Sequence, residues 1–290
     1  MTSKNLNKHP VALLRTSLSV ILSHPSILFP FCIVAFIQLF VLEIIFFAPR
    51  YPLSNFFEPI ITRFHGEAFL HYPFNFMLVV KWFQKVQIPI HLVFTSFLGG
   101  CAVVIINAIN NDKTITMKAV FRRAMSAYVH LVVAAGCSVG VMLGFTKLFS
   151  LVIKRAFIIR STSGIYFMIK QVVLKGAPYF YLLFSVFVVV LFAFVVPIII
   201  IEKKKIFAAL VDNFRCLWKS FWFLYAVCLL PMILYVPVLM LKTNTQFLRA
   251  QFGPESLVVL LVAGNFVVLF IEAIHYTAIT TYYLAKKEAT

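Results

Sequence analysis

Acidic residues are scarce in this sequence, with 9 Asp and Glu against 26 Lys and Arg among 290 residues. Charged residues of both signs make up only 12% of the chain, about half the share found in soluble domains, while hydrophobic residues make up 62%. No polar stretch is long enough to enclose a water-facing core. The composition therefore excludes an ordinary soluble protein and predicts one integral membrane domain over residues 1–290.

The excess of basic residues predicts a partner of opposite charge. The Lys and Arg residues lie beside apolar runs rather than on a polar face with base-stacking aromatics, which argues against nucleic acid. Anionic lipid headgroups are the better partner.

Sequence motifs of several enzyme classes are missing. There is no Gly-x-Ser-x-Gly, no phosphate-binding loop, no His-Glu-x-x-His and no set of His boxes, which lowers the odds of a serine hydrolase, an ATPase, a metalloprotease or a desaturase. The five cysteines form no Cys-x-x-Cys pair, so neither a disulfide framework nor a zinc site is indicated. We expect no cofactor and no metal, and we favour a protein that is not an enzyme.

Six apolar runs are long enough to cross a bilayer, which takes about 20 helical residues. They predict an all-α fold, a polytopic bundle of six transmembrane helices with both termini on one side. Arg15 interrupts the apolar N-terminal stretch and no small-residue cleavage site follows, so we expect the first span to be retained. The runs cover residues 27–48, 88–109, 128–150, 180–201, 221–241 and 257–284.

Three shorter segments, at the N-terminus, at 113–127 and at 206–220, have the pattern of amphipathic helices. A helix with an apolar face and a basic polar face lies in the headgroup layer, so we expect three interfacial surface helices. For the third, the predicted apolar face is Phe207, Leu210, Val211, Phe214, Leu217, Trp218 and Phe221, and the predicted polar face is Asp212, Asn213, Arg215 and Lys219.

Each surface helix precedes a pair of spans, which indicates a threefold repeat. The strings ALLRT at 12–16, AVFRR at 119–123 and ALVDN at 209–213 share the order Ala, two apolar residues and two polar residues. The predicted copies of helix, span and span cover 9–112, 113–205 and 206–287.

The predicted orientation depends on basic residues near the ends of the spans. Such residues face the cytoplasm in most membrane proteins, so we expect the termini and the surface helices on the cytoplasmic side. The basic residues that we assign to this membrane surface include Arg122, Arg123, Lys203, Lys204 and Lys205.

The stretch VVPIIIIEKKKIFAALVDNFRCLWKSFWFLYAVCLL at 195–230 resembles a bacterial six-span superfamily. That superfamily includes the membrane domain fused to some glycerophosphodiester phosphodiesterases and related inner-membrane proteins. Its spans end in Pro and Glu and are followed by an amphipathic helix with Ala-Leu and then Lys or Gly; Pro197, Glu202, Ala209, Leu210 and Lys219 fit this order. The resemblance implies a six-span architecture in a bacterial inner membrane, and no catalytic residues.

Glu272 and His275 in the sixth run form the clearest candidate site. A charged group near the middle of a bilayer is costly, so these side chains should face the bundle interior or water. Asn265 lies on the same helical stripe, and Glu43 in the first run could be a partner, although its place near the end of that run also fits an acid that reaches the interface. The alternatives are a proton or cation site and a buried Glu bonded to a neighbouring helix.

Gly136, Gly140 and Gly144 in the third run are spaced by four, which lines small residues along one helix face. This spacing is typical of close helix packing. Ser96 and Gly100 in the second run offer a matching surface, and a homo-oligomer or another membrane protein is the alternative partner.

Two functions follow from these features. Basic surface helices and few polar residues within the spans favour a non-enzymatic protein that organises the membrane or acts as a scaffold. The alternative is a small transporter or lipid-handling protein that uses the Glu272 and His275 site.

Overall fold

The computed structural model describes residues 9–158 and 164–288. Within these two ranges all regular elements are helical, which confirms the predicted all-α bundle. Six stretches are long and apolar enough to cross a membrane, and we number them spans 1 to 6. They are Pro25–Phe47, Phe74–Asn110, Tyr128–Ile158, Gly164–Glu202, Phe221–Thr243 and Ser256–Glu288.

The α-helices follow one another along the chain with short connections. They are α1 (Pro10–Ser23), α2 (Leu28–Phe47), α3 (Ser54–His65), α4 (Phe74–Ile90), α5 (Ser96–Asn110), α6 (Met117–Ser126), α7 (Tyr128–Ile158), α8 (Gly164–Leu191), α9 (Val195–Glu202), α10 (Ile206–Leu217), α11 (Phe221–Met232), α12 (Val236–Thr243), α13 (Thr245–Phe252) and α14 (Ser256–Glu288).

The order of elements is the same in each third of the chain: a short helix, a span, a connection and a second span. The short helices are α1, α6 and α10, and they lie at one end of the bundle, which we call the surface-helix face. The connections with α3 and α13 lie at the other end, which we call the loop face. Two spans extend further toward the loop face than the apolar runs indicate, starting at Phe74 and at Gly164.

Three of the spans are interrupted. Span 2 contains one π-helical turn at His91–Thr95, between α4 and α5. Span 4 has a turn at residues 192–194, between α8 and α9. Span 5 contains a 3₁₀ turn at Ile233–Tyr235, between α11 and α12. The first two interruptions lie at the candidate site described below.

Helix α14 is the central element of the bundle. It lies against α1, α2, α4, α5 and α11. Its half toward the surface-helix face is buried from Ala273 to Ala285 almost without interruption, and this stretch alternates aliphatic residues with small Thr and Ala residues. The interior position of α14 explains why its polar residues face other helices rather than lipid.

The surface helix α10 packs on the bundle through one face, and most residues of its predicted apolar face are exposed. Its buried residues are Ile206, Ala209, Asn213 and Leu217, so the assignment of Asn213 to the solvated polar face is wrong. The physical reason is that α10 has two apolar faces, one against the protein and one exposed. The exposed face carries Phe207, Val211, Phe214 and Trp218.

Candidate functional site

A cavity of about 640 Å³, partly open at the surface of the bundle, lies between spans 2, 3, 4 and 6. Along span 2 it extends from Gln84 to Ser96, and this length of helix covers roughly 18 Å. Its volume is typical of small-molecule sites, which measure about 300 to 1,000 Å³. Much of the wall is apolar, and polar side chains enter from all four spans: Gln84, Gln87, His91, Thr95, Ser96, Ser138, Ser185, Glu272, His275, Tyr276 and Thr280.

The π-helical turn in span 2 brings several polar residues to the cavity. It follows Pro89 in α4, whose ring removes a backbone donor and disturbs the regular helix. One π turn widens the helix locally and changes which residues share a face. His91, Thr95 and Ser96 line the cavity as a result.

The turn in span 4 forms another part of the wall and is held by Asn213 of α10. The Phe194 N–H donates to Asn213 Oδ1 at 3.0 Å, and Asn213 Nδ2 donates to the Leu191 carbonyl oxygen at 2.8 Å. Both backbone groups lack their usual helical partners because the helix is broken there. The Asn213 side chain is fully buried, so one amide replaces the missing helical bonds on both sides of the turn.

Glu272 lines the cavity from the middle of α14. Its side chain is half-buried. Its carboxyl makes no hydrogen bond or salt bridge with any residue in 9–158 or 164–288. A carboxylate in a low-dielectric site without a counter-charge is costly. Glu272 therefore has the properties of a group that is completed by a proton or by a bound cation.

His275 lies almost one turn further along α14 and is buried. Its Nε2 lies 2.9 Å from the backbone carbonyl oxygen of Cys228 in α11. Because a carbonyl oxygen only accepts, Nε2 carries the proton, and Nδ1 is left as the second polar atom of the ring. The hydrogen bond fixes the ring orientation at the cavity wall and joins α14 to α11.

Tyr276 lies one turn after Glu272 and also lines the cavity. Its ring packs against Phe31, with ring centroids 5.6 Å apart, and it lies directly over Gly99 of α5. A Cβ at position 99 would come within 2.6 Å of Tyr276 Cζ. The glycine therefore allows the aromatic ring to lie between the two helices.

The charge of the cavity wall is one-sided. Among the described residues that line it, Glu272 is the only acid, and neither Lys nor Arg is present. His91 and His275 are the lining side chains able to become cations. The Thr280 hydroxyl is buried and has no hydrogen-bond partner within the described part of the chain. The cavity wall therefore includes a polar group whose hydrogen bond is not made by the described residues.

The other residues of the predicted intramembrane site lie elsewhere. Asn265 is buried in α14, and its Nδ2 has no partner among the described residues, but it lies outside the cavity. Glu43 is exposed and lines a smaller cavity of about 200 Å³ against the start of α14. The structure thus brings Glu272 and His275 together and separates them from Asn265 and Glu43.

The predicted basic surface residues fall into two groups. Arg122, Lys203 and Lys205 are exposed. Arg123 turns inward and donates to the Ile200 carbonyl oxygen near the end of α9 at 3.1 Å, where a cation is favourable. Lys204 bridges Glu202 and Asp212, with both N–O distances at 2.8 Å.

This ionic cluster joins span 4, α10 and span 6. Hydrogen bonds to Asp212 and Glu202 raise the pKa of the Lys204 ammonium above its usual range. Glu202 also accepts from the Tyr283 hydroxyl and pairs with Lys287. The cluster fixes the surface-helix end of the cavity walls relative to one another.

The glycine stripe of α7 is not a packing surface within the described chain. A Cβ at Gly136, Gly140 or Gly144 would have nothing within 4 Å. Helix α7 packs through Leu131 and Ala134 instead, and Gly100 of span 2 meets Leu131 rather than a glycine. The predicted match between the stripe and span 2 is therefore not found.

A metal centre is also not found within the described ranges, where no group of three His, Cys, Asp or Glu side chains could hold an ion. Comparisons with protein-family models, curated proteins and solved structures give no match. The fold and composition define a multi-pass membrane protein with an internal cavity. The resemblance of 195–240 to the six-span superfamily stays a prediction.

Proposed function

We propose that the protein binds and moves a small amphiphilic molecule, as a transporter or a lipid-handling protein, with the cavity around Glu272 as its substrate site. The observation that carries this proposal is the Glu272 carboxyl, which has no hydrogen-bond or ionic partner among residues 9–158 and 164–288 and lies in a cavity with polar side chains from four spans. A group that served only to hold helices together would be bonded to a neighbouring helix, as His275 is to Cys228.

The two interrupted spans support the same function. Irregular backbone within a membrane is tolerated where it is buried in protein or lines a cavity, and discontinuous helices are common at transporter binding sites. The π turn of span 2 and the turn of span 4 both line the Glu272 cavity. The irregular backbone and the polar side chains therefore coincide.

Thiol accessibility tests whether the cavity is reached by water during function. We expect Ser138→Cys, in a protein without its native cysteines, to react with a membrane-impermeant methanethiosulfonate reagent about tenfold faster than Gly140→Cys. Ser138 lines the cavity, whereas Gly140 lies on the exposed side of the same helix, where lipid excludes the reagent and keeps the thiol un-ionised. Reactions can be measured in proteoliposomes with the reagent added to either side, and equal rates for the two cysteines would contradict the proposal.

We infer that the surface-helix face is cytoplasmic in a bacterial inner membrane and contacts anionic headgroups. Exposed Lys203 and Lys205 immediately precede α10, whose exposed aromatic residues include Phe207 near its start and Trp218 at its end. Aromatic side chains insert at the interface while ammonium groups reach the phosphates.

Replacing both lysines with alanine tests this lipid contact. Each basic residue near an anionic membrane contributes about 1 kcal/mol of attraction. We expect the double variant to lose much of the rise in melting temperature that phosphatidylglycerol nanodiscs give the wild type. Phosphatidylcholine nanodiscs are the control, in which the wild type and the double variant should have the same melting temperature. If the double variant shows the full rise in melting temperature in phosphatidylglycerol nanodiscs, these lysines are not the contact with anionic headgroups.

Membrane organisation is a second proposal, supported by the exposed aromatic face of α10. Phe207 and Trp218 are 80% and 89% exposed, which fits either lipid or a protein partner. Crosslinking under native expression should then recover another membrane protein or a second copy. Recovery of neither would count against this function.

A further inference from the structure

We propose that the occupant of the cavity is an organic monocation with a bulky apolar body, such as a lipophilic amine or a quaternary onium, and that the Glu272 carboxylate is its counter-charge. This inference rests on the proposed function and names its substrate class. The observation behind it is an acid that has no partner among the described residues, in a largely apolar cavity whose described lining contains no Lys or Arg.

The charge balance of the wall disfavours two other substrate classes. An anionic amphiphile would meet the Glu272 carboxylate without a compensating basic residue among the described lining residues. A neutral amphiphile would leave the half-buried carboxylate without a counter-charge, which costs free energy, or would require that Glu272 first take up a proton. A monocation removes the unpaired charge and adds a charge-assisted contact.

The aromatic residues of the wall favour the same class. Tyr276 is one helical turn from Glu272, and Phe192, in the turn of span 4, also lines the cavity. Cations with a low charge density are attracted to the faces of aromatic rings. An acid beside aromatic rings therefore suits an alkylated or arylated onium group.

Small inorganic cations fit the site less well. Hard cations need several oxygen ligands, but no cluster of three His, Cys, Asp or Glu side chains occurs within the described chain. A bare ion would occupy only a small part of a cavity of about 640 Å³. Most of the apolar wall would then have no ligand atoms to contact.

Protons should compete with the cation at Glu272. The other titratable groups that face the cavity are His275 and Tyr276 of α14 and His91 of the π turn, while the described lining residues of α7, α8 and α9 add none. Behind His275, α11 contributes the buried Cys228. As the pH falls, protonation of Glu272 removes the counter-charge and protonation of the histidines adds repulsion, so cation affinity should fall.

Binding of radiolabelled tetraphenylphosphonium to the purified protein in nanodiscs tests the proposal. We expect saturable binding that is at least about tenfold weaker in Glu272→Gln, because the variant loses the coulombic attraction between the carboxylate and the phosphonium in a site of low dielectric constant. Tetraphenylborate has nearly the same shape and the opposite charge, and it should not bind saturably.

The chain offers a matched control for this substitution. Glu43→Gln makes the same chemical change at an exposed acid of span 1 that lies outside the cavity, so it should leave tetraphenylphosphonium binding unchanged. Glu272→Asp keeps the charge and should keep most of the binding. The melting temperature of each variant shows whether it is folded.

The outcomes separate this inference from the proposed function. Binding that is unchanged in Glu272→Gln, or is equal for the two ions of opposite charge, overturns the cation proposal. If neutral triphenylphosphine oxide protects Ser138→Cys from alkylation as well as tetraphenylphosphonium does, the cavity binds amphiphiles without charge selection and only the cation proposal fails. If Ser138→Cys reacts no faster than Gly140→Cys and none of these compounds protects it, both fail.

Discussion

Asn213→Ala should lower the free energy of unfolding by about 2 to 5 kcal/mol, because it leaves two buried backbone groups without partners. The Phe194 N–H makes no hydrogen bond to the Val190 carbonyl oxygen, its expected helical partner, which accepts from the Ala193 N–H in the turn. The Leu191 carbonyl oxygen would lose its bond as well. The change can be measured by titrating the protein with sodium dodecyl sulfate and following helix content.

A graded series distinguishes this mechanism from simple loss of volume. Asn213→Asp keeps the acceptor for Phe194 N–H, loses the donor to the Leu191 carbonyl oxygen and adds a buried charge, so it should also destabilise the protein. Asn244→Ala is the control, because Asn244 bonds the Met240 carbonyl oxygen at an exposed position after α12; it should cost about 1 kcal/mol or less. Equal effects of Asn213→Ala and Asn244→Ala would contradict the capping role.

The role of Asn213 could not have been predicted from the local sequence. Within α10, Asn213 stands next to Asp212 and two residues before Arg215, and this polar neighbourhood indicates a solvated face. The side chain is buried because span 4 breaks opposite it at 192–194. Pro197 signals an irregular helix there, since a proline removes the hydrogen bond to the carbonyl four residues earlier and crowds it. The sequence does not show which residue of another helix fills that break, because a contact between two helices leaves no periodic pattern in either one.

The six spans could be predicted because burial in lipid leaves a strong compositional signal over about 20 residues. Their lengths could not. Spans 2 and 4 contain 37 and 39 residues, well beyond what a hydrocarbon layer of about 30 Å needs. Gln84 and Gln87 lie in the additional part of span 2 and line the cavity there, so the underestimated length also hid part of the site.

The cavity residues differ in how visible they are in the sequence. Glu272 and His275 could be identified because ionisable groups are costly in the middle of an apolar run. Thr95 and Ser96 could not, since hydroxyl groups within membrane helices commonly bond the preceding turn, as Ser96 does with the Leu92 carbonyl oxygen. His91 had a weak signal, a histidine two residues after Pro89, that points to an irregular helix near a polar group.

Gly99→Ala should be the most damaging glycine-to-alanine substitution in the described part of the chain. The new Cβ would come within about 3 Å of three atoms of Tyr276, and this ring cannot move freely because it also packs against Phe31. Overpacking of this kind typically costs about 1 to 3 kcal/mol. Since α5 and α14 would have to separate, we also expect weaker binding of tetraphenylphosphonium by the same variant.

A second substitution and a matched glycine test whether the Tyr276 contact is the cause. Tyr276→Leu in the Gly99→Ala background removes the ring that the methyl group meets, so it should recover stability although it removes an aromatic group from the cavity. Gly140→Ala makes the same change where nothing lies within 4 Å and should stabilise α7 by up to about 1 kcal/mol through helix propensity. Equal effects of Gly99→Ala and Gly140→Ala on stability would contradict this prediction. They would show that the close approach of α5 to Tyr276 does not constrain the cavity wall beside Glu272.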